Sequence, residues 1–435
     1  MRTKPLYTLA VTWVLLIPLL VFASGGGFSF ETASVNTAFG SVGVGLTASS
    51  HSESRVLFIQ ACGIYLICGL LAMRGLRAIM RGFRKDVLLS TFVALAFGSV
   101  FWSQNPGATI WASAFFTVNV AFAFYLLWRF SANDVMKLMM FVGTIAAAVS
   151  LILIFFFPQY GTQLRGSYAH GAWQGIWGQK NLCAAALTCL LIPGCFVKLS
   201  GRYSWVFRLS YFLTLFCIIA LTRSVGGWVM CFCTMCSVLL FLPLRRASGK
   251  DRAAFVLIIV AIAASLAFLA FLNLEPLLAL FGKDPTLTGR TVLWHYLSLS
   301  ILKRPLTGFG YMAFWQGLQG ESGNIRTWLN WSGLSYAENG IIELWLGLGS
   351  IGVVLFLALF ARAIRDGLYC FRRTATPATM FYISILLFTV FENIEAGKVM
   401  YPSYLQCILQ YVAFIGLRQE RRQLEEQALD TLIAA

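Results

Sequence analysis

The chain has 435 residues, 59% of them hydrophobic and 11% charged. That balance excludes a soluble globular domain and places the chain among polytopic membrane proteins. A net charge of +16 would suggest nucleic acid in a soluble protein. Here no nucleic-acid partner is expected, because Lys and Arg concentrated in loops orient transmembrane helices.

Twelve apolar stretches are long enough to cross about 30 Å of hydrocarbon once tilt is allowed. They cover 7–23, 55–73, 87–102, 109–128, 135–157, 181–197, 209–222, 228–242, 253–274, 341–360, 378–391 and 404–417. The first reads as a retained helix and not a signal peptide. The expected fold is therefore an all-α polytopic membrane protein with about twelve transmembrane helices. Residues 1–274 form helices one to nine, 275–340 a large external loop with short amphipathic helices, 341–417 helices ten to twelve, and 418–435 a tail. Ten of the eleven cysteines lie in apolar runs, where thiols behave as small hydrophobes. Cys231-x-Cys233-x-x-Cys236 has metal-like spacing but no His or carboxylate beside it. Neither a metal nor another cofactor is expected.

Charge sets the orientation. With both termini inside, 23 of the 33 Lys and Arg fall on the inner side, in runs such as Arg74, Arg77, Arg81, Arg84 and Lys85. The other ten lie outside. Five of them sit in the large loop: Lys283, Arg290, Lys303, Arg304 and Arg326. The rest are Arg55, Arg165, Lys180, Arg223 and Lys398. Positive-inside bias does not explain these, so an outward-facing basic site is expected.

The stretch from Thr288 to Glu343 is the leading candidate for chemistry. Thr288 suits a helix N-cap, Val292, Tyr296, Leu299 and Leu302 repeat at helical spacing, and Pro305 stops the run. Arg290 then falls in the first turn, where an anion such as a diphosphate would be held between the cation and the free backbone N–H groups. Pairing with Asp284, or snorkelling along the interface, is the plainer reading. Arg223 precedes Ser224-Val225-Gly226-Gly227, which leaves room for a lipid headgroup; a snorkelling interfacial role is the alternative. Arg165 and Lys180 flank a Gly- and Trp-rich loop in which Trp173 and Trp177 are either interfacial anchors or stacking platforms for sugars. Glu338, at the mouth of span ten, either accepts a proton from a hydroxyl or is a helix-start carboxylate; Glu343 fits the second role. His170 and His295 also lie outside and read as structural.

Four stretches together resemble the O-antigen ligase and polysaccharide polymerase superfamily, especially its exopolysaccharide-polymerase branch. They are Trp102-Ser103-Gln104-Asn105-Pro106, Gly175 to Lys180-Asn181, Thr288-Gly289-Arg290 with Arg304-Pro305-Leu306-Thr307-Gly308-Phe309-Gly310, and Ala337-Glu338-Asn339-Gly340 with Glu343 and Gly349. The resemblance implies a GT-C-like glycosyltransferase of the bacterial inner membrane, working on the periplasmic face without a metal. Its donor would be an undecaprenyl-diphosphate-linked glycan and its acceptor a second glycan or a lipid. A flippase and a chain-length regulator are the implied partners, besides the surrounding lipids. Arg290, Glu338 and Arg223 are the implied catalytic residues. Lys180, Asn181, Arg165, Arg304, Asn339 and Trp177 are the implied substrate-binding set. Glu338 stands where family members carry His, and Arg223-Ser224 reverses their usual Ser-Arg order. Two other functions compete with polymerisation: a ligase that moves the finished chain onto lipid A–core, and a twelve-helix secondary transporter. The transporter reading predicts two equivalent halves, which the sequence does not display.

Overall fold

The structure is a computed structural model. It describes residues 16, 53–163, 171–244, 290–331, 334–395, 401–402 and 405–434. The expected spans at 7–23 and 253–274 lie outside the described residues apart from Leu16, and so do Arg165, His170, Lys283, Asp284, Thr288, Gly289 and Lys398.

The described chain is almost wholly helical. In order it forms α1 (Glu53–Met73), α2 (Leu76–Lys85), α3 (Val87–Gly98), α4 (Pro106–Arg129), α5 (Ala132–Phe156), a two-strand ribbon (Thr162–Gln163 with Ala172–Trp173), α6 (Lys180–Phe196), α7 (Ser204–Leu221) and α8 (Val225–Leu244). Beyond these lie α9 (Arg290–Lys303), α10 (Gly320–Trp328), α11 (Gly340–Arg373), α12 (Pro377–Glu395) and α13 (Leu405–Ala434). Four of them, α4, α5, α7 and α11, are long and apolar enough to cross a membrane; the bent pair α1–α2 makes a fifth if it is one span. This is an all-α membrane protein.

Local sequence sets the helix ends. Asn105 caps α4 through its side-chain oxygen, which accepts the Ala108 amide at 3.1 Å, and Pro106 takes the first helical position. Ser131 and Asp134 form a reciprocal capping box on α5. Asn339 caps α11, accepting from the Ile341 and Ile342 amides at 3.0 and 3.1 Å. The core centres on the first half of α13, buried from Leu405 to Leu417 and packed on α4, α11 and α12.

Three expectations change. The basic segment after span two is helical and not a loop: α2 turns 90° from α1. Ile79 is buried while Arg77, Arg81, Arg84 and Lys85 are exposed. Span twelve and the charged tail form one continuous helix, α13. Span ten is broken. At Gly349 the backbone turns to φ 65° and ψ −169° inside α11.

The break at Gly349 is where the large loop docks. The Phe309 and Gly310 amides donate to the Leu346 and Gly347 carbonyls at 2.7 and 2.9 Å. The Ser350 and Ile351 amides donate to the Pro305 and Leu306 carbonyls at 2.8 and 3.3 Å. Backbone groups freed by the break are thus paired by the 305–310 segment, as apolar surroundings require. A side chain at Gly349 would strike the Leu306 carbonyl, and one at Gly308 would meet α11 backbone within 2.7 Å. The same segment grips the start of α4. The Trp102 indole donates to the Thr307 carbonyl at 2.9 Å, and Gln104 donates to the Ala313 carbonyl at 2.8 Å. Parts of three of the four resemblance stretches therefore form one scaffold.

Candidate functional site

The loop beyond the scaffold has its own small core. Leu293 and Leu297 of α9 pack with Phe309, Phe314, Trp315, Ile325, Leu334, Ala337 and Leu346. This holds α9 against the first half of α11. Glu343 locks the arrangement. Its buried carboxylate accepts the Trp315 indole N–H at 2.9 Å and the Ala337 amide at 2.8 Å. The helix-start role expected of Glu343 is thus extended: it pins the approach to α11. The Trp294 indole donates to the Ala337 carbonyl at 2.9 Å, so Ala337 is held on both its N–H and C=O.

The next residue is Glu338. It adopts a left-handed backbone, φ 54°, which non-glycine residues seldom occupy without a reason. That twist aims its carboxylate at Arg290. The Arg290 guanidinium meets Glu338 Oε2 at 2.8 Å, with side-chain exposures of 22% and 10%. Arg290 is therefore paired with Glu338; Asp284, the other acid expected beside it, lies outside the described residues. Two residues 48 positions apart, expected to act on donor and acceptor separately, touch. Asn339 spends its side-chain oxygen on the α11 cap. Gly340 has no space for a side chain, because Asn393 of α12 lies against it.

The second part of the site is the joint between α7 and α8. Arg223 is exposed and again left-handed, φ 50°. Ser224 donates to Asn181 Oδ1 at 2.8 Å and accepts the Gly227 amide at 3.1 Å. Lys180 Nζ lies 3.4 Å from the Arg223 carbonyl. The Gly–Lys–Asn stretch and the Arg223 turn are thus one unit. The Gln179 side chain reaches the Tyr336 hydroxyl at 3.5 Å, joining this unit to the segment that carries Glu338.

Other predicted residues fall elsewhere. Trp177 is fully buried in the main core, 0% exposed, so it offers no ring face to a sugar. The reason is the tight packing of its turn: a side chain on Gly175 would collide with Ser150 of α5. Trp173, half-buried, stands edge-on to Phe155. Arg304 lies at the far end of α9, roughly 20 Å from Arg290 at 1.5 Å per residue. It donates to the Trp102 carbonyl at 3.2 Å and covers the Phe309 ring. Lys303 pairs with Glu321 at 2.7 Å. His295 is exposed and contacts Tyr296. Sequence reasoning missed the polar groups on α12 beside the site. Glu392 and Asn393 are buried there, and an acidic residue in an otherwise apolar helix end was the available signal.

An all-α membrane bundle with a guanidinium and a carboxylate paired beside its long helix α11 agrees with the comparisons. Residues 210–357 match the profile of a family described as O-antigen ligase. That segment contains Arg223, Arg290, Glu338 and Glu343. The chain is also similar to the exopolysaccharide production protein ExoQ of Rhizobium meliloti. The two are 24% identical over 303 residues, covering 66% of this chain and 66% of that protein. The chain thus spans just under two thirds of the length of this relative. These two matches bear out the resemblance to the O-antigen ligase and polysaccharide polymerase superfamily.

Proposed function

We propose that the protein is a membrane glycosyltransferase. It polymerises undecaprenyl-diphosphate-linked oligosaccharide repeat units into exopolysaccharide or O-antigen on the periplasmic face of the inner membrane, with both termini cytoplasmic. The observation that carries this reading is the Arg290–Glu338 pair, set within the matched family segment. In the resting protein the two charges neutralise each other. An arriving diphosphate takes the guanidinium, which suits its oxygens in bidentate geometry. The displaced carboxylate then accepts the proton of the acceptor hydroxyl. The hydroxyl oxygen bonds to the anomeric carbon as the bond from that carbon to the diphosphate breaks. Undecaprenyl diphosphate leaves with the electron pair, its charge met by Arg290. Guanidinium groups do here what a metal does in other transferases. Arg223, on its strained turn, serves as the second cation toward the diphosphate, and Lys180 and Asn181 position that turn.

Similarity to an exopolysaccharide production protein supports polymerisation. The family description supports ligation of a finished chain to lipid A–core as the second reading. A deletion strain separates them. Accumulated single repeat units are the expected result; long chains left on the carrier lipid would show a ligase. Uptake of a soluble sugar into proteoliposomes, without lipid-linked donor, would show a transporter.

A further inference from the structure

The end of the bundle opposite Glu338 holds a cavity of about 260 Å³ that the glycan chemistry does not use. It lies between α2, the last turns of α4 and the second half of α13. Its charged lining is Arg81, Lys85, Arg418 and Arg422 against Asp86 and Glu426. Asp86 is already committed: it binds the Arg362 guanidinium through both oxygens, one at 2.8 Å, and caps α3. Four cations therefore face one remaining carboxylate, Glu426. Arg418 does approach Asp366 at 3.5 Å, but that carboxylate also holds Arg421 at 2.8 Å. Arg422 is fixed over the cavity by donating to the Lys85 carbonyl at 3.0 Å. Like charges converging in a concave site repel unless an anion sits among them.

We propose that this cavity binds the phosphate headgroup of an anionic membrane lipid. Helix α2 makes a right angle with α1, so it lies along the surface of the bundle end. A side chain at Gly82 would meet the Phe124 ring at 2.5 Å; its absence lets α2 press against α4 and close the cavity. Leu76 and Met80 of α2 remain exposed beside the basic rim. This is the pattern of an interfacial amphipathic helix, with apolar residues toward the acyl chains and Arg toward the headgroups. Phe124 and Ile415 line the same cavity, giving apolar surface where the headgroup joins its tails. The volume falls below the roughly 300 Å³ at which drug-sized pockets begin. It admits a headgroup and leaves the chains outside.

The test uses the purified full-length protein in nanodiscs. Phosphatidylglycerol mixed into phosphatidylcholine is expected to raise the melting temperature, whereas inorganic phosphate added to phosphatidylcholine nanodiscs is not. In native mass spectrometry, Arg81→Gln with Arg422→Gln should retain phosphatidylglycerol about tenfold less than the parent. Arg77→Gln with Arg84→Gln, on the same helix outside the cavity, should retain it nearly as well. Glu426→Gln should increase retention, which keeps the test decisive if the arginine pair fails to fold. Stabilisation by inorganic phosphate alone would assign the cavity to a soluble anion and overturn the lipid reading. Equal retention by the parent and the Arg81/Arg422 variant, or unchanged retention by Glu426→Gln, would overturn the site.

Discussion

Replacing Glu338 by Gln tests the partner exchange directly. The pair is only partly exposed, at 22% and 10%. Fully exposed pairs contribute about 0.2–1 kcal/mol, and loss of one partner from a fully buried pair costs about 3–5 kcal/mol. A value of roughly 1–2 kcal/mol follows for this intermediate case. If the diphosphate must displace Glu338 from Arg290, its affinity is weakened by that amount. Glu338→Gln should then bind undecaprenyl diphosphate about 5–30-fold more tightly, at about 1.4 kcal/mol per decade. Polymer synthesis should nevertheless fall by roughly 10²–10⁴-fold, because the proton acceptor is gone. Arg290→Gln should lose both binding and synthesis, and the double variant should bind no better than Arg290→Gln alone. Binding is measured by titration of the purified protein with carrier lipid, and synthesis by the length distribution of the polysaccharide. Weaker binding by Glu338→Gln would refute the exchange. Full synthesis by that variant would reduce Glu338 to a structural partner of Arg290.

Gly349→Val puts a side chain against the Leu306 carbonyl at a left-handed position. It should cost several kcal/mol, read as loss of folded protein on size exclusion; normal yield and melting temperature would disprove the docking. Ser224→Ala removes the cap of α8 and its bond to Asn181. It should lower stability by about 1 kcal/mol and reduce synthesis while leaving the Arg290 side intact; an unchanged melting temperature would count against the joint. Burial raises the pKa of Glu420, which accepts from Thr376 and Thr379. A carboxyl raised in the fold stabilises it only when protonated. Its contribution is complete below the usual value of 4.5 and is lost as pH rises through the folded value. Glu420→Gln should therefore gain in melting temperature over the parent as pH is taken upward from 4.5. A gap that shrinks with rising pH would reverse that assignment.

What the sequence disclosed was local. The apolar runs that became α4, α5, α7 and α11 and the polar stretch that carries Arg290 and Glu338 could be read from composition and spacing. What it hid was pairing over distance. Trp102 and Thr307 are 205 positions apart, and Arg290 and Glu338 are 48 apart. No periodicity encodes such contacts. Arg290 had a nearer acid in sequence, Asp284, and nothing local pointed to Glu338. Trp177 was misjudged because glycines around an aromatic suggest an open loop, whereas here they let the ring sink into the core. Gly349 stood out only as part of a resemblance stretch, not as a break in the helix. Its role depends on a segment 40 positions earlier in the chain. In α2 the charge density suggested a loop, although Ile79 and the four cations alternate at helical spacing.

The break at Gly349 also bears on how the protein is made. Residues 340–373 are apolar enough to enter the bilayer as a single helix. A break in that helix leaves backbone groups without partners, so it is stable only once the 305–310 segment supplies them. That segment emerges from the ribosome first, so it is available when the helix arrives. Insertion and assembly are then distinct events: a straight helix enters, and the waiting loop bends it. Because Glu338 precedes this helix by two residues, its left-handed turn forms in the same late step. An inserted but immature chain would span the membrane and lack the Arg290–Glu338 pair, so this paired site exists only once assembly is complete.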